Sequence, residues 1–175
     1  AHALFAANAL AGMLAQNGGN VVVTLLQVSF LTAASWILAD FGSGVLNWSV
    51  DNYGNGKKTI MGGIIAAFQG HHAAPWTITQ RGFCNNVYKL CTPFGIVPGA
   101  LATLLASPAV ALFFISFCTL EILSQEFHKW SHQLKSETPR IGNWLQTIGF
   151  AVPRKQHALH HKEPFENNYC IISGA

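Results

Sequence analysis

Seven of the eight histidines in this chain fall into three tight clusters, and these are the residues best suited to chemistry. Imidazole is among the commonest metal ligands in proteins. Each cluster stands just outside a long apolar segment. The clusters are His71 and His72 in QGHHAAPW, His128 and His132 in EFHKWSH, and His157, His160 and His161 in RKQHALHH. Their types and spacing predict that all seven bind metal at a membrane surface.

The adjacent histidines favour two metal ions over one. Neighbouring side chains on a helix diverge by about 100°, so His160 and His161 are not expected to serve one ion in the same way. The same holds for His71 and His72. We therefore expect each member of a pair to bind a different ion.

A line of polar side chains leads into the second cluster. Glu121, Gln125, His128 and His132 are spaced four, three and four residues apart, which places them on one face of a helix. A carboxylate in an otherwise apolar helix is costly unless it is paired or close to a metal ion. Glu121 and Gln125 are therefore possible metal ligands or neighbours of a ligand. The alternative is the ordinary polar end of a helix at the membrane surface.

A matching line follows the first apolar segment. Asp40, Gly44, Asn47 and Asp51 also share one helical face, on a helix that would continue out of the membrane. Gly44 would leave space for a bulky neighbour. The alternative is an ordinary polar helix exit, with Asp51 as a solvated carboxylate.

The ligand type alone leaves the metal open, because imidazole suits zinc, copper, iron and nickel. The HExxH motif of zinc proteases is absent from the sequence. Haem bound by two histidines would need them on facing membrane helices, whereas these clusters lie outside the apolar spans. Two irons bound by many imidazoles would support oxygen activation and removal of hydrogen from a lipid C–H bond, an inference from the type of site.

The composition indicates an integral membrane protein. Half of the residues are apolar and only 10% are charged, against roughly a quarter charged in soluble domains. The net charge of +3 comes without a basic stripe, which argues against nucleic-acid binding. The four cysteines form no CxxC motif and are expected to be unpaired.

Apolar segments and charges predict an all-α membrane protein with about three crossings. Val21–Ala39 is an uncharged segment long enough to cross. All Lys and Arg residues lie in Lys57–Lys89 or Lys129–Lys162, so the positive-inside rule puts both regions on one face. The uncharged segment between them must then cross an even number of times. We predict a helical hairpin over residues 88–125, with arms at Tyr88–Leu105 and Pro108–Gln125.

Four sequence strings resemble the CarF-type lipid desaturase family, which includes plasmanylethanolamine desaturase. The likeness runs from about Asp40 to Ala175 and is greatest to the plant plastid branch, which makes a trans double bond in the palmitoyl chain of phosphatidylglycerol. The strings are DFGSGVLNWSVDNYG, AFQGHHAAPWTIT, EFHKWSH and RKQHALHHKEPFENNYCIISGA. The resemblance implies a single lipid desaturase domain over residues 1–175, with an apolar part at 1–39 and a histidine-box core at 40–175.

By this resemblance, the three clusters are the histidine boxes that bind two iron ions. The family pattern GVxHWxxD has a histidine where this chain has Asn47, in GVLNWSVD. An asparagine can offer a carbonyl oxygen or hold a metal-bound water, so the site could survive with weaker iron binding or lose activity. Asp51 matches the family aspartate and is expected to orient a ligand. No catalytic residue beyond the metal ligands is expected.

The implied function is that of an oxygen-dependent acyl-lipid desaturase in a chloroplast membrane. Its substrate would be a membrane glycerolipid, and an electron donor protein, ferredoxin-like in a plastid, would be needed because the chain shows no flavin, nicotinamide or cluster motif. Arg81, Lys129, Arg154 and Lys155 could attract an anionic headgroup or simply follow the positive-inside pattern. The alternative functions are a non-catalytic or weakened metal-binding paralogue and a related di-iron lipid hydroxylase.

Overall fold

The computed structural model describes residues 1–59 and 61–175, and all of their side chains except those of residues 92 and 93. Helices form the regular structure of these residues, and no strand occurs among them, which confirms the predicted all-α class. The helices are α1 (His2–Gln16), α2 (Val21–Asn52), α3 (Gly62–Ala73), a 3₁₀ helix (Pro75–Gln80), α4 (Phe83–Phe94), α5 (Ile96–Leu105), α6 (Pro108–His132), α7 (Arg140–Thr147) and α8 (Arg154–His160).

Among the residues that the structure describes, two helices, α2 and α6, are long and apolar enough to cross a membrane, as judged by length and composition. A third crossing results if the segments Phe83–Cys91 and Ile96–Leu105, bent by 48° at a short break, form one span. Gly95 lies at this break, where a Cβ atom would collide with the Cys91 carbonyl oxygen. Only glycine permits so close an approach. A count of two or three agrees with the predicted number of about three.

The two arms of the predicted hairpin correspond to helices of different lengths. The first arm, Tyr88–Leu105, comprises part of α4 and all of α5. The second arm begins at Pro108 as predicted, where proline is favourable in the first turn of a helix. It continues beyond Gln125 to His132, so the same helix carries the second histidine cluster.

The chain divides into two compact units, and both α2 and α6 contribute to each of them. The first unit comprises Ala1–Ala39 and Val87–Leu123. Its core is formed by apolar residues of α1 and α6, with partly buried side chains of α2 and α5 packed against it. The core residues are Ala9, Met13, Ala111, Leu112 and Ile115.

Small residues allow the helices of the first unit to approach closely. A Cβ atom on Gly99 of α5 would lie 2.7 Å from the Phe5 ring of α1, and one on Gly12 would lie 2.7 Å from Pro108.

His2, the histidine outside the clusters, contacts other residues of the first unit. Its Nδ1 lies 2.7 Å from Thr119 Oγ1 and its Nε2 lies 3.0 Å from the Gly95 carbonyl oxygen.

The second unit comprises Asp40–Asn86 and Ser124–Ala175. It contains the C-terminal part of α2, the C-terminal part of α6, and α3, α7 and α8. Its buried apolar residues include Ile65, Phe127, Val152 and Ile172. All seven clustered histidines belong to this unit.

The C-terminal segment of the second unit packs along the polar face of α2. The Asp40 carboxylate accepts hydrogen bonds from the Ser173 backbone N–H (2.8 Å) and the Ser173 hydroxyl (2.6 Å). The Ile171 N–H donates to Ser43 Oγ at 3.1 Å. The bulky neighbour expected beside Gly44 is Cys170, whose Sγ would lie 2.7 Å from a Cβ at that glycine. These contacts fix the chain that follows the third histidine cluster.

Candidate metal centre

Five histidines from three separate stretches of chain form the first group of possible metal ligands. Their ligand nitrogens all lie within 4.8 Å of one another. They come from the last turns of α3 and α6, from α8, and from the residue after α8. The group consists of His71, His128, His132, His157 and His161.

The nitrogen atoms of this group are spaced as ligands of a metal ion would be. His132 Nε2 lies 2.9 Å from both His71 Nε2 and His157 Nε2, and His157 Nε2 lies 3.0 Å from His161 Nε2. Nitrogens about 2.1 Å from an ion stand about 3.0 Å apart at right angles and about 3.4 Å apart at tetrahedral angles. The observed spacing therefore fits the closer, right-angled arrangement.

Unpartnered nitrogens in the first group also fit a bound metal. His128 is 5% exposed, and neither of its ring nitrogens has a hydrogen-bond partner among the described residues. A buried polar atom without a partner costs about 1–3 kcal/mol. Coordination of a metal ion would give one ring nitrogen of His128 a partner.

Burial keeps the rings of the first group neutral, which is the form that binds metal. Burial, followed by the charges of neighbouring histidines, lowers the pKa of His71 to about 3. The pKa of His161 is lowered to about 3 for the same reasons. That of His157 is also lowered, mainly by burial. At neutral pH these rings therefore offer free lone pairs to a metal ion.

His72, His160 and Asp51 form the second group of possible metal ligands. The two Asp51 carboxylate oxygens lie 3.3 Å from His72 Nε2 and 3.5 Å from His160 Nε2, respectively. Both oxygens are buried and lack a hydrogen-bond partner among the described residues. Asp51, expected to orient a ligand, thus lies where it can itself be a ligand.

Each adjacent histidine pair is divided between the two groups. His71 belongs to the first group and His72 to the second, whereas His161 belongs to the first and His160 to the second. This division follows from the angle between neighbouring side chains on a helix. The groups are close, because the rings of His72 and His161 have centroids 4.9 Å apart. The arrangement can therefore hold two ions side by side.

Residues after α8 hold the second group in place. His160 Nδ1 donates to the Asn167 carbonyl oxygen at 3.0 Å, which leaves His160 Nε2 as the ligand atom. The ring of Phe165 packs edge-on against His72, with centroids 4.9 Å apart. Sequence analysis did not identify these roles for Asn167 and Phe165. The available signal was the PFENNYC string, which follows the third histidine cluster.

Asn47 lies beside the second group, in the position expected from its helical spacing. Its Nδ2 atom lies 3.4 Å from His160 Nε2 and donates to the Tyr169 carbonyl oxygen at 3.1 Å. Its Oδ1 atom is buried without a partner among the described residues. The amide thus lies at the edge of the group and presents an N–H, rather than a lone pair, to His160.

The two remaining sequence candidates differ in their placement. Gln125 lines a cavity together with His71 and His128. Glu121 belongs to the first unit and is a member of neither group. Its assignment as a possible ligand or neighbour of a ligand therefore stays a prediction.

Comparison with known proteins gives a family match over both ligand groups. The family model described as "Lipid desaturase domain" matches residues 36–175. "Fatty acid desaturase 4, chloroplastic" from Arabidopsis thaliana is 46% identical over 144 residues, covering 81% of this chain and 44% of that protein. "Fatty acid desaturase 4-like 1, chloroplastic" from the same plant is 41% identical over 150 residues, covering 86% and 51%.

More distant similarity extends to a bacterial protein. "Plasmanylethanolamine desaturase" from Myxococcus xanthus is 29% identical over 146 residues, covering 79% of this chain and 50% of that protein. The chain spans about half the length of the curated relatives that it matches. No solved structure matches the chain.

Proposed function

This chain belongs to the lipid desaturase domain family, and we propose that it is a membrane-bound di-iron enzyme that introduces a double bond into an acyl chain of a glycerolipid. The observation that carries the proposal is the convergence of seven histidines into two adjacent groups of ligand atoms. The two helices able to cross a membrane, α2 and α6, both extend into the unit that contains these groups.

The composition of the second group supports iron as the metal. Two histidines and one carboxylate are the ligand set of non-haem Fe(II) oxygenases. This set leaves the other coordination positions of the iron open. His72, His160 and Asp51 provide this set. Iron bound in the two groups would supply oxygen activation, and hence an oxidant able to remove hydrogen from an unactivated C–H bond.

The proposed reaction requires molecular oxygen and an external electron donor. Two adjacent methylene carbons each lose one hydrogen atom, and the carbon–carbon double bond forms between them. These two hydrogens, two electrons from the donor and two protons reduce one oxygen molecule to two waters. We propose an electron donor protein that is ferredoxin-like, as the resemblance to the plant plastid branch implies.

The proposed substrate is the palmitoyl chain of phosphatidylglycerol in a chloroplast membrane, where a trans double bond forms near the carboxyl end. Two relatives named as chloroplastic fatty acid desaturases support this choice, at 46% and 41% identity. The resemblance of the QGHHAAPWTIT string to the plant plastid branch supports the same choice.

Lipid profiling of a host that lacks this modification tests the proposal. The full-length protein, expressed there with a ferredoxin, should produce a trans-unsaturated palmitoyl chain on phosphatidylglycerol. His132→Ala and His160→Ala each remove a ligand from one group and should abolish the product while leaving membrane insertion intact. His2→Ala is the matched control, because His2 lies in the first unit. Full activity of either ligand variant would refute the role of its histidine.

Asn47 supports a second candidate, a metal-binding paralogue with weakened or no catalysis. Its amide stands where the family pattern has a histidine, and it points an N–H towards His160. Purified full-length protein that lacks iron, and gains none on Asn47→His, would favour this candidate. A hydroxylated acyl chain instead of an unsaturated one would identify a related lipid hydroxylase.

A further inference from the structure

A cavity in the second unit is continuous with the first group of ligands. Its volume is about 270 Å³, and His71 and His128 form part of its lining. This volume is close to the lower end of the range for ligand clefts, about 300–1,000 Å³. Much of the remaining lining is apolar and includes Phe68 and Ile78. The cavity thus combines an apolar wall with metal-binding nitrogens.

The cavity extends from the protein surface to buried metal ligands. His128 and Ile78 are buried, whereas Gly70, Thr77 and Arg81 are exposed. A substrate that reacts at a metal held by these ligands needs such a cavity, because it must enter from outside and reach atoms that the protein encloses.

Gly70 gives the cavity part of its width. A Cβ atom built on this glycine would meet no atom within 4 Å, so the neighbouring structure does not require glycine for close packing. Glycine is less favourable than alanine within a helix, and Gly70 lies in α3. A larger side chain at this position has open space to occupy without displacing backbone.

Arg81 supplies a positive charge on the exposed part of the lining. None of the described carboxylates lies within ion-pair distance of its guanidinium. It lines the same cavity as His71 and His128, which places it near the first group. A guanidinium pairs with phosphate through two parallel hydrogen bonds, so Arg81 is suited to an anionic headgroup.

We propose that this cavity receives the acyl chain of an anionic glycerophospholipid, with Gly70 leaving room for the chain and Arg81 binding the headgroup phosphate. The inference rests on the proposed desaturase function and names the residues that determine its substrate. Gly70 and Arg81 are specificity-determining residues, and the chain segment next to the headgroup is the part that lies against His71 and His128.

Photo-crosslinking tests the role of Gly70 without turnover. The iron-loaded full-length protein is placed in nanodiscs, without an electron donor, with phosphatidylglycerol whose palmitoyl chain carries a diazirine near the ester. Gly70→Leu should reduce crosslinking to cavity peptides about tenfold by filling the space. Gly63→Leu is the control, because Gly63 is also a helical glycine of α3 with open space around it and is not part of the lining. Equal crosslinking in the Gly70 variant and the wild type would overturn the proposal.

Phosphate recognition tests the role of Arg81. The same probe on diacylglycerol, which has no phosphate, gives a crosslinking ratio between the two lipids. Arg81→Gln should lower the phosphatidylglycerol-to-diacylglycerol ratio about tenfold through the lost charged hydrogen bonds. Arg140→Gln removes an exposed charge from α7 and should leave the ratio unchanged. The proposal would be overturned if the ratio were unchanged in the Arg81 variant, or if it fell equally in the Arg81 and Arg140 variants.

These readouts separate the two proposals, because crosslinking does not require a reaction. All variants are compared at equal iron content. Crosslinking that depends on Gly70 and Arg81, in a protein that makes no double bond, would contradict the proposed function alone. If Gly70→Leu and Arg81→Gln change neither desaturation nor crosslinking, the cavity assignment is contradicted and the proposed function is not.

Discussion

Adjacent histidines are the residues that make two ligand groups possible. His71 and His72 occupy neighbouring positions on α3, and their rings are nearly perpendicular, at 84°. Their divergence could be predicted from the helical rotation between neighbours. Their partners could not, because helical spacing says nothing about contacts between distant parts of the chain. In the structure those partners come from α2, α6 and α8 and from the residue that follows α8.

Asn47 provides a test of the second group at the level of one side chain. Asn47→His would place an imidazole beside His160, where the present amide directs an N–H at 3.4 Å. An additional nitrogen ligand should slow the release of iron from the second group to a chelator by about tenfold. Tenfold is the lower end of the change in metal affinity that residues around a metal site cause. The measurement is iron retained in the purified full-length protein against time.

Asn52→His is the matched control for this prediction. Asn52 lies on the same helix but is exposed, and its Nδ2 atom bonds to the Trp48 carbonyl oxygen and lies 3.4 Å from Tyr169 Oη. A histidine there should leave iron release unchanged. Equal rates for the wild type and the Asn47 variant would show that Asn47 does not border a metal position.

At the scale of elements, the metal centre depends on the attachment of the C-terminal segment to α2. Asp40 binds Ser173 through two hydrogen bonds, and hydrogen bonds to charged groups contribute about 1.5–3 kcal/mol. Asp40→Ala should lower the free energy of unfolding by about 2 kcal/mol. The measurement is titration of the full-length protein with sodium dodecyl sulfate in mixed micelles.

A double-mutant cycle with Ser173→Ala identifies the source of this effect. The Asp40 and Ser173 variants should show a coupling energy of about 1 kcal/mol, because they remove one shared hydrogen bond. Glu166→Ala removes an exposed carboxylate from the same C-terminal segment and should change stability by less than about 0.5 kcal/mol. Additive effects of Asp40→Ala and Ser173→Ala would contradict the pairing.

The helices themselves were largely predictable, whereas the packing of the C-terminal segment was not. The uncharged run at Val21–Ala39 and the start at Pro108 anticipate α2 and α6 because long apolar segments favour helices in membranes. The contact of Cys170 with Gly44 joins residues far apart in the sequence. The glycine indicated that something bulky would lie there, but local patterns could not identify it.

At the scale of the whole molecule, the charge distribution predicts the membrane topology. All Lys and Arg residues lie in two regions separated by the predicted hairpin, so both regions should face the same side. Ser107 is exposed between α5 and α6. In a full-length background with the native cysteines replaced by alanine, Ser107→Cys should react with an impermeant maleimide only from the side opposite Lys57→Cys. Labelling of both positions from one side would contradict the hairpin.

We propose that the loaded protein holds two iron ions side by side, each in one group of ligand atoms. Anomalous X-ray scattering at the iron edge, from crystals of the iron-loaded full-length protein, would locate these ions. We expect two peaks, one beside the nitrogens of the five-histidine group and the other beside the ligand atoms of His72, His160 and Asp51. A single peak, or iron bound away from these side chains, would rule out the two-ion arrangement.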